Sequence, residues 1–131
     1  PEAASRWEWV TTQSTCACGI ALATRRRCCV TDLANDDRVN GSDRATYERL
    51  GISAVQTTPL MTRDGRLLGA ISTHWKQPRT PGERDWRLFD VLARHAADLL
   101  ERVGADEKIR RNEALLSAFF DALPVGLVVM D

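Results

Sequence analysis

Two runs of β-prone residues flank the pair Asp64-Gly65. An Asp-Gly pair between such runs is typical of a tight hairpin turn, because glycine supplies the positive φ that the turn requires. The pattern predicts two antiparallel strands over residues 54–61 and 66–75. The second strand is rich in small side chains, which is unusual for a strand that faces a packed core.

Side chains of a strand point alternately to opposite faces, so the second strand divides into two sets. On one face, Gly69 would allow a helix backbone to come close. The other face carries Ala70, Ser72 and His74, whose small members leave space. We expect a helix to cover the first face and a cavity to open on the second.

The long segment after residue 80 has apolar positions at helical spacing. These positions are Trp86, Phe89, Leu92, Ala93, Ala96, Leu99, Leu100 and Val103. The run Thr80-Pro81-Gly82-Glu83 has the pattern of a capping box and predicts where the helix begins. The opposite face carries the alternating charges Asp90, Arg94, Asp98 and Arg102, which predict a solvated, self-pairing surface.

The remaining elements are shorter. An apolar run over 18–23 predicts one or two helical turns, and residues 27–33 predict a strand. Residues 35–43 have the composition of a loop, after which Ser42 would cap a short helix that Gly51 ends. Residues 1–10 fit either a strand or a helix. The last residues, VGLVVMD, would form a good buried strand.

Composition limits the function classes. The chain has 131 residues, of which 44% are hydrophobic and 27% charged, and this composition is that of a globular domain with or without appendages. Lys+Arg and Asp+Glu both number 18, so we expect no nucleic-acid partner, and the arginines at 25–27 are expected to be solvated. With no export signal or spanning segment, we expect a cytoplasmic protein without membrane insertion, whose four cysteines are reduced.

Several local motifs resemble a GAF domain of the bacterial signalling type. They are ACG-x-AL at 17–22, VTDL at 30–33, LGISAVQTTPL at 50–60, RDGRLLGAISTHW at 63–75 and the closing P-x-x-P-GERDWRLFDVLARHAADLLER. The resemblance covers residues 1–103. It implies an α+β fold with an antiparallel sheet and helices packed on one face, followed by a long C-terminal signalling helix. It also implies that residues 1–10 are helical and that an opening helix and two strands lie upstream.

Residues 104–131 resemble a helical linker and the start of a PAS domain. This order of domains is similar to that of sensor histidine kinases, which implies a multidomain bacterial signal-transduction protein. Downstream PAS and output domains of the same chain would be its partners. The fragment itself is expected to be non-catalytic.

The hypothesis that the domain dimerises rests on the closing helix. GAF domains commonly pair through this helix, and Leu92, Ala96, Leu99 and Val103 keep the spacing of a helical seam. The alternative is that these residues pack on the domain's own sheet, since an amphipathic face is usually core.

The ligand hypothesis places a pocket at Cys18, Ala70, Ser72 and His74, roofed by residues 14–23 and 35–51. No cofactor is predicted, although an unknown small ligand is compatible with this face. His74 has no second His or Cys nearby on its strand, so a structural role is favoured over a haem or metal ligand.

The catalytic alternative is a thiol or haem redox site similar to the free methionine sulfoxide reductases, built on Cys18 or His74. That family needs a nucleophilic cysteine before the hairpin, and residues 35–55 contain none. The cysteine spacing also lacks the C-x-x-C pattern, so no metal site is predicted. A GAF domain without any ligand, serving as a dimer scaffold, is the third possibility.

The resemblance also predicts an unpaired edge on the second hairpin strand, because the family's first strand is expected upstream. The apolar tail is a candidate to fill that edge, from the same or a second molecule. The alternatives are a disordered tail and a tail that continues as helix.

Overall fold

The computed structural model describes residues 16–103 and 125–129. Three helices, α1 (Ala17–Thr24), α2 (Gly41–Arg49) and α3 (Glu83–Val103), accompany four strands. The strands are β1 (Cys28–Val30), β2 (Ala54–Met61), β3 (Leu67–Trp75) and β4 (Val125–Val129), and a 3₁₀ turn covers Leu33–Asn35. The prediction for residues 1–10 lies outside the described residues.

The strands form one antiparallel sheet in the order β1-β2-β3-β4. The predicted hairpin is confirmed, since Val55 pairs with His74 and Thr57 pairs with Ser72. Gly65 at the turn has a φ of 89°, which a glycine adopts without steric cost. The tail strand β4 pairs with β3, as one of the alternatives from the sequence proposed.

A bulge interrupts the hairpin close to its turn. Leu60 pairs with Gly69 while Met61 pairs with Leu67, so Leu68 is an additional residue on β3. Simple alternation predicts that Leu68 shares a face with Ala70, but its side chain packs with the α3 core instead. Beyond the bulge, the alternation of β3 follows the prediction.

Helix α3 covers one face of the sheet. Leu60 and Ile71 are buried beneath it, together with the inward helix residues Ala93, Ala96, Ala97 and Leu100. At the start of the helix, Phe89 packs against Trp75 and Trp86, with ring centroids 6.1 and 5.8 Å away. The helix therefore lies on the face that Gly69 was expected to open.

The opposite face is covered by α1 and α2. Their buried residues form a second cluster with the strands, which includes Cys18, Val30, Tyr47 and Val55. The predicted α+β class is confirmed, and the structure divides the helices between the two faces of the sheet. No described helix is both long enough and apolar enough to cross a membrane.

The helix starts differ from the predicted ones by one or two residues. Cys16 caps α1, and its Sγ accepts a hydrogen bond from the Gly19 amide at 3.5 Å. Helix α2 is preceded by Asn40 rather than Ser42. Helix α3 begins at Glu83, where the Asp85 carboxylate accepts from the Gly82 amide at 2.9 Å. A glycine thus takes the cap position that the Thr80 pattern suggested.

We predict that truncating Leu60 destabilises the fold far more than truncating an exposed leucine of α3. Leu60 is fully buried between the sheet and the helix, so Leu60→Ala should lower the free energy of unfolding by about 2–5 kcal/mol. Leu88→Ala, a matched change at a side chain that is 53% exposed, should cost about 0.5 kcal/mol or less. Urea unfolding of both variants measures this difference, and equal losses would contradict the assigned core.

Candidate functional site

The sheet face under α1 carries a buried polar cluster at the predicted ligand position. The Cys18 thiol lies 2.9 Å from the Ser72 hydroxyl and 3.8 Å from the Thr57 hydroxyl. The Thr57 and Ser72 hydroxyls lie 2.6 Å apart. Three small polar groups on three elements therefore satisfy one another, as burial requires.

The structure brings the predicted pocket residues onto this face. Ala70 and Ser72 are almost fully buried, and Cys18 is 8% exposed. His74 follows on the same face of β3, where its ring centroid lies 6.5 Å from that of Tyr47. Helix α1 lies over this face, and its Cys18 contacts Ser72 directly. The four residues thus share a face, and the ligand that they were predicted to bind stays a prediction.

The roof over this face is held by a residue that the sequence analysis did not select. The Tyr47 hydroxyl accepts a hydrogen bond from the Ala17 amide at 3.2 Å, which joins α2 to the first turn of α1. The sequence offered one signal for it, because Tyr47 is the chain's single tyrosine and lies in a short polar helix. Its side chain is 1% exposed, and burial raises the pKa of its hydroxyl.

His74 is held in its neutral form. Part of its surface remains accessible, but its ring lies deep enough that burial lowers its pKa to about 4. At neutral pH the imidazole is therefore uncharged. The structure contains no group of three or more His, Cys, Asp or Glu side chains suited to a metal ion among the residues it describes.

The cysteines lack the features of a nucleophile. All four are free thiols. Burial raises the pKa of Cys16 to about 12 and that of Cys28 to about 11, and it also raises the pKa values of Cys18 and Cys29. A reactive cysteine needs a lowered pKa and access to substrate. The environment of Cys18 therefore favours a structural role over thiol chemistry.

A separate cleft of about 250 Å³ lies between the 3₁₀ turn and α2. It is lined by Asp32, Leu33, Ala34, Arg44, Glu48, Gly51, Ile52 and Ser53. Its central cation, Arg44, donates to the carbonyl oxygens of Ala34, Asp36 and Val39. Because these bonds tie the guanidinium to the backbone, Arg44 stabilises the loop and is not directed at a ligand.

The α3 face of the sheet carries a second polar network. Gln56 donates to Thr73 at 3.2 Å and accepts from Thr58 at 2.8 Å, and all three side chains are buried. Arg27 donates to Thr58 at 2.9 Å and pairs with Asp90 of α3.

Arg27 and Asp90 depart from their predicted surroundings. The Arg27 guanidinium lies 4.9 Å from the Trp86 ring centroid, a cation–π distance. The arginine run was expected to be solvated, and Arg25 and Arg26 are exposed. Arg27 instead pairs with Asp90, which was expected to pair along its own helix. Sequence spacing does not show which residues the sheet brings to a helix. The Arg94–Asp98 pair at 2.8 Å does follow the predicted pattern.

The predicted seam residues have different environments in the described part of α3. Ala96 is buried and Leu92 partly buried against the sheet, whereas Leu99 is 42% exposed. The side chain of Val103 lies outside the described part. Leu88 and Val91 are exposed by 53% and 52%, and neither was predicted. At about 100° per residue, the exposed apolar stripe is rotated by roughly 70° from the predicted one.

The family model of the GAF domain matches residues 2–101. The chain belongs to the GAF family. No curated protein matches the sequence.

Solved structures share the fold at low sequence identity. One is a domain assigned to a two-component sensor histidine kinase of Sinorhizobium meliloti 1021, with a TM-score of 0.57 and 21% identity over 65% of this chain and 58% of that one. Another is the GAF domain of a two-component sensor histidine kinase from Bacillus halodurans, with a TM-score of 0.57 and 21% identity over 70% of this chain and 60% of that one.

A third is a GAF domain/HD domain protein from Geobacter sulfurreducens, with a TM-score of 0.53 and 19% identity over 64% of this chain and 53% of that one. The chain thus spans between 53% and 60% of the length of these three structures. At such identities the likeness establishes the fold of this GAF domain.

We predict that acid destabilises this GAF domain through His74. The folded-state pKa of about 4 lies below the ordinary value of 6.5, so the unfolded chain binds more protons between these two pH values. The contribution of His74 to the free energy of unfolding is therefore present above about pH 6.5 and is lost toward about pH 4. Between pH 7 and pH 5 the free energy of unfolding should fall by about 2 kcal/mol.

Urea unfolding at several pH values measures this loss. His74→Gln should remove most of the slope between pH 7 and pH 5. A His74→Gln variant with the wild-type slope would show that another group is responsible.

Proposed function

We propose that this GAF domain is a non-catalytic sensory and dimerisation domain of a multidomain bacterial signal-transduction protein. In this proposal α3 relays the signal to the PAS-like segment and to output domains of the same chain. The observation that carries it is the two-sided character of α3, which is buried against the sheet through Ala93, Ala96 and Leu100 and apolar toward solvent at Leu88, Val91 and Leu99. Such a helix can contact both the sheet of its own domain and a partner.

The face of the sheet beneath α1 is connected to α3 through adjacent residues of β2 and β3. Thr57 and Ser72 belong to the cluster with Cys18, and their chain neighbours Gln56 and Thr73 form the network below α3. That second network reaches the helix through Thr58, Arg27 and Asp90. A displacement of the strands beneath α1 would therefore change hydrogen bonds that hold the first half of α3.

The partner that suits the exposed stripe is a second copy of the same helix. Leu88, Val91, His95 and Leu99 recur at intervals of three, four and four residues, which approximates a coiled-coil seam. A two-fold axis would place each stripe against itself, and equal numbers of acidic and basic residues leave no net repulsion between copies.

The stripe is small enough that its dimer should depend on concentration. Burying the remaining surface of six half-exposed Leu and Val side chains contributes roughly 5–9 kcal/mol. Association costs about 4–15 kcal/mol. The stripe by itself therefore supports a weak dimer, which longer helices or further domains would strengthen.

A ligand-free dimer scaffold is the second candidate function. It is favoured by the contact of Cys18 with Ser72 and Thr57, since the thiol takes part of the space that a ligand would use. Both candidate functions include the dimer. They differ in whether a ligand bound beneath α1 displaces this helix. The redox alternative receives no such support, because all four thiol pKa values are raised.

We predict that charges on the exposed stripe abolish dimerisation. The double variant Val91→Glu, Leu99→Glu should sediment as a monomer at concentrations where the wild type is dimeric, because the seam would bring four carboxylates together. Analytical ultracentrifugation over a concentration series measures this change.

The matched control is Ala45→Glu, at an exposed position of α2 on the other face of the sheet. It should keep the wild-type mass. A dimer that survives in the double variant and retains the helix content of the wild type would exclude this stripe as the interface.

A further inference from the structure

A short segment, residues 25–27, connects α1 to the first strand of the described sheet, and we call it the α1–β1 link. Helix α1 ends at Thr24, and β1 begins at Cys28. Strand β1 is the outer strand in the order β1-β2-β3-β4, and α1 and α3 lie on opposite faces of this sheet. The α1–β1 link therefore passes along the edge of the sheet between the two faces.

The last residue of the α1–β1 link contacts α3. Arg27 directly precedes Cys28, whose side chain is buried on the α1 face of the sheet. The Arg27 side chain lies on the other face, as the alternation along a strand requires. There its guanidinium donates to the Thr58 hydroxyl at 2.9 Å, pairs with Asp90 and lies 4.9 Å from the Trp86 ring centroid. Because Trp86 and Asp90 are about one helical turn apart, Arg27 holds the first half of α3.

The first residues of the α1–β1 link are fixed to the end of α1. Arg25 ends this helix with a φ of 56°, a left-handed conformation that glycine usually takes. Its guanidinium donates to the Gly65 carbonyl oxygen at 3.0 Å. The Thr24 hydroxyl donates to the Ile20 carbonyl oxygen at 2.8 Å and accepts from the Arg26 amide at 3.3 Å. Because these bonds hold the link close to the helix, a shift of α1 is expected to move the whole link.

The contacts between the α1–β1 link and α3 are of a kind that breaks at low cost. The side chains of Arg27 and Asp90 are 26% and 66% exposed, and ion pairs in contact with water contribute little to stability. A cation–π contact at a partly exposed site is also modest. Residues other than glycine in a left-handed conformation, such as Arg25, tend to occur at segments that switch. The link therefore suits reversible release of α3 more than permanent attachment.

We propose that the α1–β1 link couples α1 directly to α3, with Arg27 as the positioning residue at its α3 end. This inference rests on the proposed function, in which α3 relays the signal, and adds a connection that does not pass through the hydrogen bonds across the sheet. A shift of α1 would withdraw Arg27 from Trp86 and Asp90 and release the first half of α3. Because coupling between two sites is reciprocal, loosening the contact at α3 should also loosen α1.

The first experiment changes α3 and measures α1 by amide hydrogen exchange in the full chain. Asp90→Asn keeps the size of the side chain and removes the charge that pairs with Arg27. Relative to the amides of β2, those of residues 20–24 should exchange about two- to fivefold faster, the range expected for an exposed ion pair. The matched control Asp98→Asn removes an ion pair with Arg94 of the same helix and should leave α1 unchanged. An α1 rate that is unchanged in Asp90→Asn, that rises equally in β2, or that rises as much in Asp98→Asn would overturn the proposal.

The second experiment distinguishes the α1–β1 link from the hydrogen bonds across the sheet. A Gly-Gly insertion between Arg25 and Arg26 lengthens the link, so α1 should no longer respond to Asp90→Asn. Thr58→Val removes the hydroxyl that joins Arg27 to Gln56, and α1 should still respond in this variant. A response that survives the insertion, or that disappears in Thr58→Val, would overturn the link as the connection. The Thr58→Val result decides by itself if the insertion variant does not fold.

Protein concentration separates this proposal from the proposed dimer. The α1–β1 link acts within one molecule, so the response of α1 to Asp90→Asn should be the same at high and low concentration. A wild type that is monomeric at every concentration but retains the response would contradict the dimer and support the link. A dimeric wild type without the response would contradict the link alone.

Discussion

The packing of α3 on Leu60 and Ile71 sets the arrangement of the other elements. Because these two residues come from paired strands, one helix fixes the face of the sheet that each strand residue occupies. The same contact determines which side of α3 remains in solvent. The inward side is made of small alanines and Leu100, whereas Leu88, Val91 and Leu99 lie in solvent among charged residues.

The polar residues at the centre of the sheet are a second constraint. Buried hydroxyl, thiol and amide groups must be satisfied locally, and here they are satisfied separately on the two faces. Cys18, Thr57 and Ser72 form one set, and Gln56, Thr58 and Thr73 form the other. Neighbouring residues of the same strands belong to both sets, and the proposed relay to α3 rests on this adjacency.

Much of the fold could be predicted from local patterns. The Asp64-Gly65 turn fixed the hairpin, and strand alternation placed Ile71 and Trp75 under a helix and Ser72 and His74 on the other face. These features depend on short-range periodicity, which a single sequence displays. The bulge at Leu68 does not, because it arises from pairing across the hairpin.

The candidate site was less predictable for the same reason. Cys18, Ala70, Ser72 and His74 share a face in the structure, but the contact of Cys18 with Ser72 and the support from Tyr47 depend on how α1 and α2 approach the sheet. On α3, the apolar positions form a broad band, and spacing alone does not say which part of a band is core. In the structure Ala96 is buried against the sheet, whereas Leu88 and Val91 are exposed. The contacts of Arg27 with Trp86 and Asp90 were likewise not predictable, because these residues are distant in the sequence and meet only in the folded chain.

In the proposed function, α3 has one side for its own sheet and one side for a second copy. A photo-crosslinking amino acid at His95, in the middle of the exposed stripe, tests this arrangement in the full chain. Illumination should give a covalent dimer, whereas the same amino acid at the exposed Ala45 of α2 should give none. Absence of the covalent dimer at position 95, or equal yields at both positions, would contradict the account.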